Sequence, residues 1–183
     1  MKVSAKALAV ASALLMSGAV HAQSFGVGYD AGYPQGYVGA DAMAWTLDLD
    51  GADESFDAVG LRLVAGMKLD EYLAVEFHGA TGGSDSHYGS DIELDYLVGG
   101  YLKGIVPLGS SARLFGLLGY SEVKLTETTA FANYSGRDDD ISFGAGAEFD
   151  VSDSLAISAD ATRYLSQAEY DLDAYSVGLR YRF

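Results

Sequence analysis

Residues 174–183 read AYSVGLRYRF, and a large apolar side chain occupies every second position of this stretch. Successive side chains of a β-strand point to opposite faces of the sheet, so one face here receives only apolar groups. The apolar set is Tyr175, Val177, Leu179, Tyr181 and Phe183, and the opposite set is Ser176, Gly178, Arg180 and Arg182. The pattern predicts a strand whose two faces meet very different surroundings.

The same alternation recurs along most of the chain. Eight segments carry it, at residues 37–47, 57–69, 73–81, 93–105, 112–125, 141–151, 155–164 and 174–183. An even number of strands allows an antiparallel meander to close on itself. The connections alternate in length, with short turns at 70–72, 106–111 and 152–154 and longer polar loops at 48–56, 82–92, 126–140 and 165–173.

This asymmetry of connections is typical of outer-membrane barrels, which have short periplasmic turns and longer extracellular loops. The loops have only 9 to 15 residues. We therefore expect any sheet that protrudes beyond the membrane to be short.

Ionisable residues lie mostly on the face opposite the apolar set. A water-facing barrel would have to bury these charges and expose its apolar faces, which is costly. In a membrane the apolar residues contact acyl chains, and the charges pair inside the narrow lumen that eight strands leave. The lumen charges predicted in this way are Arg62, Lys68, Glu76, Asp95, Lys103 and Arg180.

The sequence thus predicts an all-β fold, an eight-stranded antiparallel up-and-down transmembrane β-barrel. A soluble secreted barrel with a ligand-binding lumen is the alternative. Two strands leave their register open. In the first, Asp41 and Trp45 share a face, so either Trp45 points inward or a bulge changes the register. In the fifth, Glu122 and Lys124 are interpreted as lumen residues, which directs Val123 and Leu125 outward and turns Arg113 toward the lipid near the periplasmic interface.

Residues 1–22 have the pattern of a cleaved secretory signal peptide. Lys2 and Lys6 precede an uncharged run that ends in small residues around Ala22. The run is shorter than the roughly 20 residues that a spanning helix needs, so a retained membrane anchor is the weaker alternative. Residues 23–183 then form a single barrel domain.

The composition excludes several classes of protein. The chain has 183 residues, no Cys and only 2 Pro, so disulfide frameworks and Cys-based metal sites are absent. Its 11 basic residues against 26 acidic ones give a net charge of -15. A basic surface able to neutralise nucleic-acid phosphates is missing, and we expect no nucleic-acid partner.

The chain resembles the small eight-stranded outer-membrane barrel proteins of Gram-negative bacteria, the group of OmpX, Ail, the OmpA barrel and the opacity-like proteins. The resemblance rests on the signal peptide, on YVGAD at 37–41, on FGAGAE at 143–148 and on the last eight residues, 176–183. It implies an outer-membrane location, a monomer in contact with lipids and lipopolysaccharide, and roles in adhesion, serum resistance or envelope integrity. It also implies a signal for the barrel-assembly machinery, carried by Ser176, Gly178, Tyr181 and Phe183.

A non-enzymatic envelope protein without a cofactor is the function that we expect. The alternatives are a narrow porin-like channel for ions or small solutes and a lipid A-modifying barrel enzyme. His87 lies beside Ser86 in a loop, which supplies nucleophile and base types without a fixed geometry. His78 is interpreted as a lumen histidine, and neither histidine matches the His-x-Ser motif of the lipid A deacylases.

The predicted outer loops are strongly acidic, and Arg137 is the only base among their charges. Such a rim attracts divalent cations, which also bridge lipopolysaccharide phosphates. A solvated anionic surface is the default interpretation, because the spacing does not fit a twelve-residue calcium loop. The acids are Asp48, Asp50, Asp53, Glu54, Asp57, Asp85, Asp91, Glu93, Glu127, Asp138, Asp139, Asp140, Glu169, Asp171 and Asp173.

Aromatic residues are expected to form two interfacial girdles. The predicted periplasmic girdle contains Phe183, Tyr181, Phe149 and Tyr37, and the outer girdle contains Phe143 and Tyr175.

Overall fold

The computed structural model describes residues 32–49, 55–87, 90–129, 133–166 and 170–183, apart from the side chains at several strand ends that border the gaps. Its strands are β1 (Gln35–Leu49), β2 (Ser55–Lys68), β3 (Leu73–Thr81), β4 (Ser84–His87), β5 (Ser90–Pro107), β6 (Ala112–Thr129), β7 (Asn133–Asp150), β8 (Leu155–Ser166) and β9 (Tyr170–Arg182). Within these ranges there is no helix long and apolar enough to cross a membrane.

The described strands form one closed sheet. Each pairs antiparallel with its neighbours, β1 pairs with β9, and β3 and β4 both pair with β5. β3 and β4 are two parts of one barrel strand, separated by Gly82 and Gly83, whose φ angles of 99° and 85° suit residues without a Cβ. The predicted eight-stranded up-and-down barrel is confirmed.

The barrel has two chemically distinct ends. Three tight connections, 69–72, 108–111 and 151–154, lie at the same end as the start of β1 and the end of β9, and we call this the turn end. Its turns are fixed locally, because the Asp70 carboxylate accepts hydrogen bonds from the amides of Tyr72 and Leu73 at 2.7 and 2.8 Å. The opposite end is called the loop end.

The strands extend farther toward the loop end than the sequence pattern predicted. β6 and β7 remain paired as far as Thr128 and Asn133, so most of the predicted loop at 126–140 is hairpin. The expectation of a short protruding sheet was therefore wrong. From Tyr120 to Thr129 the hairpin adds about 30 Å of strand.

An apolar belt surrounds the half of the barrel nearest the turn end. About ten residues of β2, at 3.3 Å each and a tilt near 40°, give it a height of about 25 Å, which matches a membrane's apolar core. Its exposed members include Val59, Leu61, Leu63 and Met67 on β2, Leu102 and Val106 on β5, Leu114 and Leu118 on β6, Phe143 and Phe149 on β7, and Tyr175, Val177, Leu179 and Tyr181 on β9.

Two bulges change the register near the loop end. One lies between Leu94 and Tyr96 in β5, and the other between Arg163 and Leu165 in β8. The second bulge brings the consecutive side chains of Tyr164 and Leu165 to the interior, where both are fully buried. The β8 bulge therefore adds a side chain to the interior, whereas the β5 bulge leaves Asp95 and Tyr96 between the buried Leu94 and Leu97.

Candidate functional site

Arg62 crosses the lumen at the centre of a buried ion-pair network. Its Nε donates to Asp41 Oδ2 at 2.8 Å, and its Nη1 donates to Asp160 Oδ1 at 3.0 Å and to the Tyr164 hydroxyl at 2.8 Å. Arg180 donates from Nη2 to Asp41 Oδ2 at 3.0 Å. Two guanidinium groups thus flank one carboxylate, and charge-assisted bonds link β1, β2, β8 and β9.

A second ion-pair chain crosses the other side of the lumen. Lys103 Nζ donates to Glu76 Oε1 at 2.8 Å and also contacts Glu148. The Tyr37 hydroxyl donates to the same Glu76 oxygen at 2.6 Å, and His78 Nε2 lies 2.9 Å from the other oxygen. Every member is buried, so Lys103, Glu76 and Glu148 need one another to remain charged in the interior.

The chain of charges continues to the turn end. Arg113 Nε donates to Glu148 Oε2 at 2.7 Å, and Arg113 also pairs with Asp150. Arg182 Nη2 donates to Asp150 Oδ1 at 2.7 Å. The charged layer is defined as Asp41, Arg62, Lys68, Glu76, Lys103, Arg113, Glu148, Asp150, Asp160, Arg180 and Arg182.

Inward-facing glycines make room for these long side chains. A Cβ on Gly39 would lie 2.6 Å from Arg180 Nη1, and one on Gly66 would collide with the Tyr37 ring. The charged layer therefore depends on the glycines, which leave space, as much as on the long side chains that fill it.

A second layer, nearer the loop end, fills the lumen with hydrocarbon. Trp45 is buried there, with Nε1 donating to the Gly82 carbonyl at 3.3 Å. Among the described residues, the side chains that meet at this level are apolar and closely packed. The apolar layer is defined as Met43, Trp45, Leu47, Leu94, Leu97, Val123, Leu165 and Leu172, all buried.

Hydroxyl and ring groups join the two layers. His78 stacks against Tyr101 with ring centroids 4.4 Å apart, and Tyr101 contacts Tyr164 edge to face at 6.5 Å. Ser142 Oγ donates to Ser121 Oγ at 2.7 Å. The interpretation of His78 as a lumen histidine agrees with its complete burial beside Glu76.

At the height of the apolar layer, the outer face of the barrel carries charged side chains. Arg163 donates to Asp173 at 2.8 and 2.6 Å, and the Tyr96 hydroxyl donates to Glu122 at 2.7 Å. Lys124 donates to Asp95, and this hydrogen bond lowers the pKa of the Asp95 carboxyl below its ordinary value. The two halves of the barrel thus have opposite polarity inside and outside.

The predicted lumen charges divide into two groups. Five of the six lie buried in the lumen: Arg62, Lys68, Glu76, Lys103 and Arg180. Asp95 instead sits at the β5 bulge, half-buried, in contact with Lys124 and Thr126. The bulge removes Asp95 from the alternation on which its prediction was based.

The interpretation of the fifth predicted strand, β6, was wrong. Arg113 points into the lumen and pairs with Glu148 and Asp150, while Val123 is buried in the apolar layer. Lys124 alternates with Val123 and therefore lies on the outer face. At that height β6 is beyond the belt, so a charged outer face contacts water. In β1, Asp41 and Trp45 are both buried, so the inward alternative for Trp45 holds without a bulge.

One girdle residue was also misassigned. Tyr37 is buried in the lumen and bonded to Glu76, whereas the other five predicted girdle residues are exposed on the outer face. The signal that separates Tyr37 from them is its parity with Asp41 in the same strand.

The acidic rim is only partly described. Asp50, Asp53, Glu54 and Glu169 lie outside the described residues, and so do the side chains of Asp48, Asp85, Asp91, Glu127, Ser86 and His87. Among the described residues, no cluster of three or more acidic, His or Cys side chains could hold a metal ion.

The four residues of the predicted assembly signal occupy both faces of β9. Ser176 is buried in the lumen, whereas Tyr181 and Phe183 are exposed on the outer face. Gly178 faces inward beside Asp41. The Phe183 amide donates to the Gly36 carbonyl at 3.0 Å, so this residue also joins the two terminal strands.

A closed barrel with an apolar outer belt and a charged interior defines the class of transmembrane β-barrels. The sequence of residues 8–183 matches the family model of the outer membrane protein beta-barrel domain, and the chain belongs to this family. Its location is the outer membrane, and its turn end therefore faces the periplasm. Among curated proteins, no relative matches the chain.

Solved structures share the fold at low sequence identity. Neisserial surface protein A (NspA) is 15% identical, with a TM-score of 0.69 over 81% of this chain and 97% of that one. Ail, the attachment invasion locus protein of Yersinia pestis, is 15% identical, with a TM-score of 0.65 over 82% and 99%. OprG of Pseudomonas aeruginosa is 15% identical, with a TM-score of 0.60 over 83% and 98%.

Proposed function

We propose that the protein is a non-conducting, non-enzymatic barrel that acts through the charged outer surface at its loop end. The observation that carries the proposal is the double filling of the lumen, with ion pairs in the charged layer and hydrocarbon in the apolar layer. Two unlike barriers in series give neither an ion nor an apolar solute a continuous path.

Conductance in a planar lipid bilayer tests this proposal. We expect purified protein to give no steady single-channel steps. Ser158 lies in the lumen wall and the neighbouring Ala159 faces outward, so Ser158→Phe and Ala159→Phe form a matched pair. Steps that disappear in Ser158→Phe and persist in Ala159→Phe would contradict the proposal and favour the narrow porin-like channel.

The lipid A-modifying alternative receives no support from the described histidine. His78 is buried inside the barrel and engaged by Glu76, Tyr101 and Tyr164, away from the lipid that such an enzyme must reach. Mass spectrometry of lipid A from cells that overproduce the protein tests the point. We expect an unchanged spectrum, and a new lipid A species that depends on His87 would overturn the non-enzymatic proposal.

The loop end carries the proposed interaction surface. One solved Ail structure is described as a complex with the heparin analogue sucrose octasulfate. The acidic rim here favours the opposite choice, namely divalent cations and cationic partners, because like charges repel a polyanion. Divalent cations at this height would also bridge the rim to lipopolysaccharide phosphates.

Calcium dependence of binding to lipopolysaccharide vesicles tests the surface proposal. We expect binding of the solubilised protein to increase with millimolar Ca²⁺ and to fall on chelation. Asp138→Asn/Asp139→Asn should weaken this response, whereas Asp70→Asn at the turn end should not. Equal binding with and without Ca²⁺ would contradict a cation-bridged surface.

We further propose that Ser176, Gly178, Tyr181 and Phe183 carry the signal for the barrel-assembly machinery. Deletion of Phe183 should reduce outer-membrane recovery and leave periplasmic aggregates. Phe149→Ala, which removes another exposed aromatic ring, is the control and should assemble normally. Normal assembly without Phe183 would contradict the proposal. The predicted cleavage after Ala22 is tested by N-terminal sequencing, which should begin at Gln23.

A further inference from the structure

Lys68 is a buried lysine at the periplasmic end of the lumen. It is the last residue of β2 and faces inward, with 9% of its surface exposed. Its ammonium group makes no hydrogen bond or ion pair with any residue that the structure describes. The ammonium is therefore only partly desolvated at the mouth, where an anion that arrives from solvent could pair with it.

The balance of charges in the charged layer points to the same conclusion. Among the described residues, the layer contains six bases and five acids, apart from His78. Its acids are already engaged: Asp41 and Asp160 by Arg62, Glu76 and Glu148 by Lys103, and Asp150 by Arg113 and Arg182. The layer is therefore short of one negative charge, although the chain as a whole carries -15.

A second unsatisfied donor lies at the same end. Arg182 Nε is buried and has no hydrogen-bond partner, although Nη2 of the same side chain is bonded to Asp150 and to the Ser152 carbonyl. Lys68 pairs in register with Gln35 and Arg182 with Tyr37, so both lie at the turn end on either side of β1. The charges of Arg113, Arg182 and Glu148 all act on the Lys68 ammonium. Three cationic groups thus surround the periplasmic mouth of the lumen.

The mouth is accessible from the periplasm. Side-chain exposure is 0% at Arg62 and 2% at Lys103, and rises to 11% at Arg113 and 20% at Asp150. This gradient shows that solvent reaches the layer from the turn end. A small solute could arrive by the same route without crossing the apolar layer.

We propose that the periplasmic mouth binds an anionic phosphate group between Lys68, Arg113 and Arg182. Phosphate oxygens accept several charge-assisted hydrogen bonds and would supply the missing negative charge. The group could belong to free phosphate or to a phospholipid headgroup of the periplasmic leaflet. The proposed site is on the opposite face from the proposed loop-end surface and does not depend on it.

Titration calorimetry on the full mature barrel tests the site. The protein is held in a non-ionic detergent without phosphate and titrated with inorganic phosphate at constant ionic strength. We expect saturable binding that Lys68→Met weakens at least about tenfold and Lys68→Arg largely preserves. Lys124→Met removes a lysine at the loop end and should leave affinity within about twofold. A heat-modifiability gel verifies that each variant is folded.

A second arm distinguishes the sources of phosphate. Short-chain phosphatidylglycerol replaces inorganic phosphate as the titrant. Binding of the lipid alone, lost in Lys68→Met, would identify the headgroup as the ligand, and competition between the two titrants would identify a shared site. Absence of binding by both, or equal affinity in wild type and Lys68→Met, would overturn the proposal.

Discussion

The two halves of this barrel distribute apolar and charged side chains between the lumen and the outer face in opposite ways. Near the periplasm, apolar side chains face outward and ion pairs fill the lumen; toward the loop end, hydrocarbon fills the lumen and charges face outward. The same eight strands run through both halves. The polarity of each half follows the solvent outside it, which is lipid around the belt half and water around the half toward the loop end. The part of the barrel beyond the belt, on the loop side, is called the extension.

This contrast explains why ion pairs are tolerated inside the belt half. With apolar groups required outside, the alternation leaves the inward positions to polar residues, and charges there can be kept only in pairs. Beyond the belt the constraint is reversed, and the extension is organised like a water-soluble barrel.

The largest effect is expected from Arg62→Met, which tests the belt half. Removal of Arg62 leaves the buried Asp160 carboxylate without an ionic partner among the described residues, and this should cost about 3–5 kcal/mol of unfolding free energy. Urea titration of the barrel refolded in lipid vesicles measures the loss. Arg163→Met removes an outward arginine of the other half and is the control, with an expected cost of about 1 kcal/mol or less.

Leu97→Ala tests the filling of the extension. Leu97 is buried in the apolar layer, and a cavity there should cost about 2–5 kcal/mol by the same urea titration. Leu102→Ala, on the lipid-facing surface of the same strand, should cost less because lipid chains fill the space. Equal costs at the two positions would mean that the apolar layer is not tightly packed.

Leu63→Arg examines the outside of the belt half. A cation on the lipid-facing surface should cost about 2–4 kcal/mol near the middle of the belt. Ser135→Arg places the same charge on the exposed outer face of β7 in the extension, where we expect almost no change. A large cost at Ser135 would mean that lipid reaches farther up the barrel than the belt.

The smallest effect concerns the Asp95–Lys124 pair outside the extension. Because Lys124 lowers the pKa of Asp95, the stabilisation is present above the ordinary carboxyl range and is lost as the pH falls through the lowered pKa. Lys124→Met should cost less than about 1 kcal/mol at neutral pH and should make no difference in acid. A loss greater than about 2 kcal/mol in urea titrations at neutral pH would indicate a pair shielded from water.

The sequence was sufficient to predict the strands and side-chain faces of the belt half, but it was insufficient to predict those of the extension. Alternation at 58–69 and 174–183 predicted strands and faces correctly, because lipid on one side makes the pattern strict. Beyond the belt, charged residues such as Lys124 lie on the outer face. The rule that charges face the lumen therefore assigned the alternate residues of β6 to the wrong faces. The bulges at Asp95 and Tyr164 have no sequence pattern that alternation can detect, because a bulge depends on the partner strand.

The candidate site was predicted in outline. Inward parity identified Arg62, Glu76 and Lys103, but the pairing of Arg62 with both Asp41 and Asp160 depends on the register of four strands. The sequence could not predict that Lys68 has no ion-pair partner among the described residues, since this depends on how Glu148 and Asp150 are shared by other bases.

The reversal of polarity along β6 is the central claim, and spin-label accessibility measures it directly. The chain has no Cys, so single cysteines can be placed at 114, 118, 122, 123 and 124 for labelling in lipid vesicles. We predict access to oxygen dissolved in lipid at 114 and 118, access to a water-soluble relaxation agent at 122 and 124, and access to neither at 123. Lipid access at 123 together with protection at 122 and 124 would contradict the account.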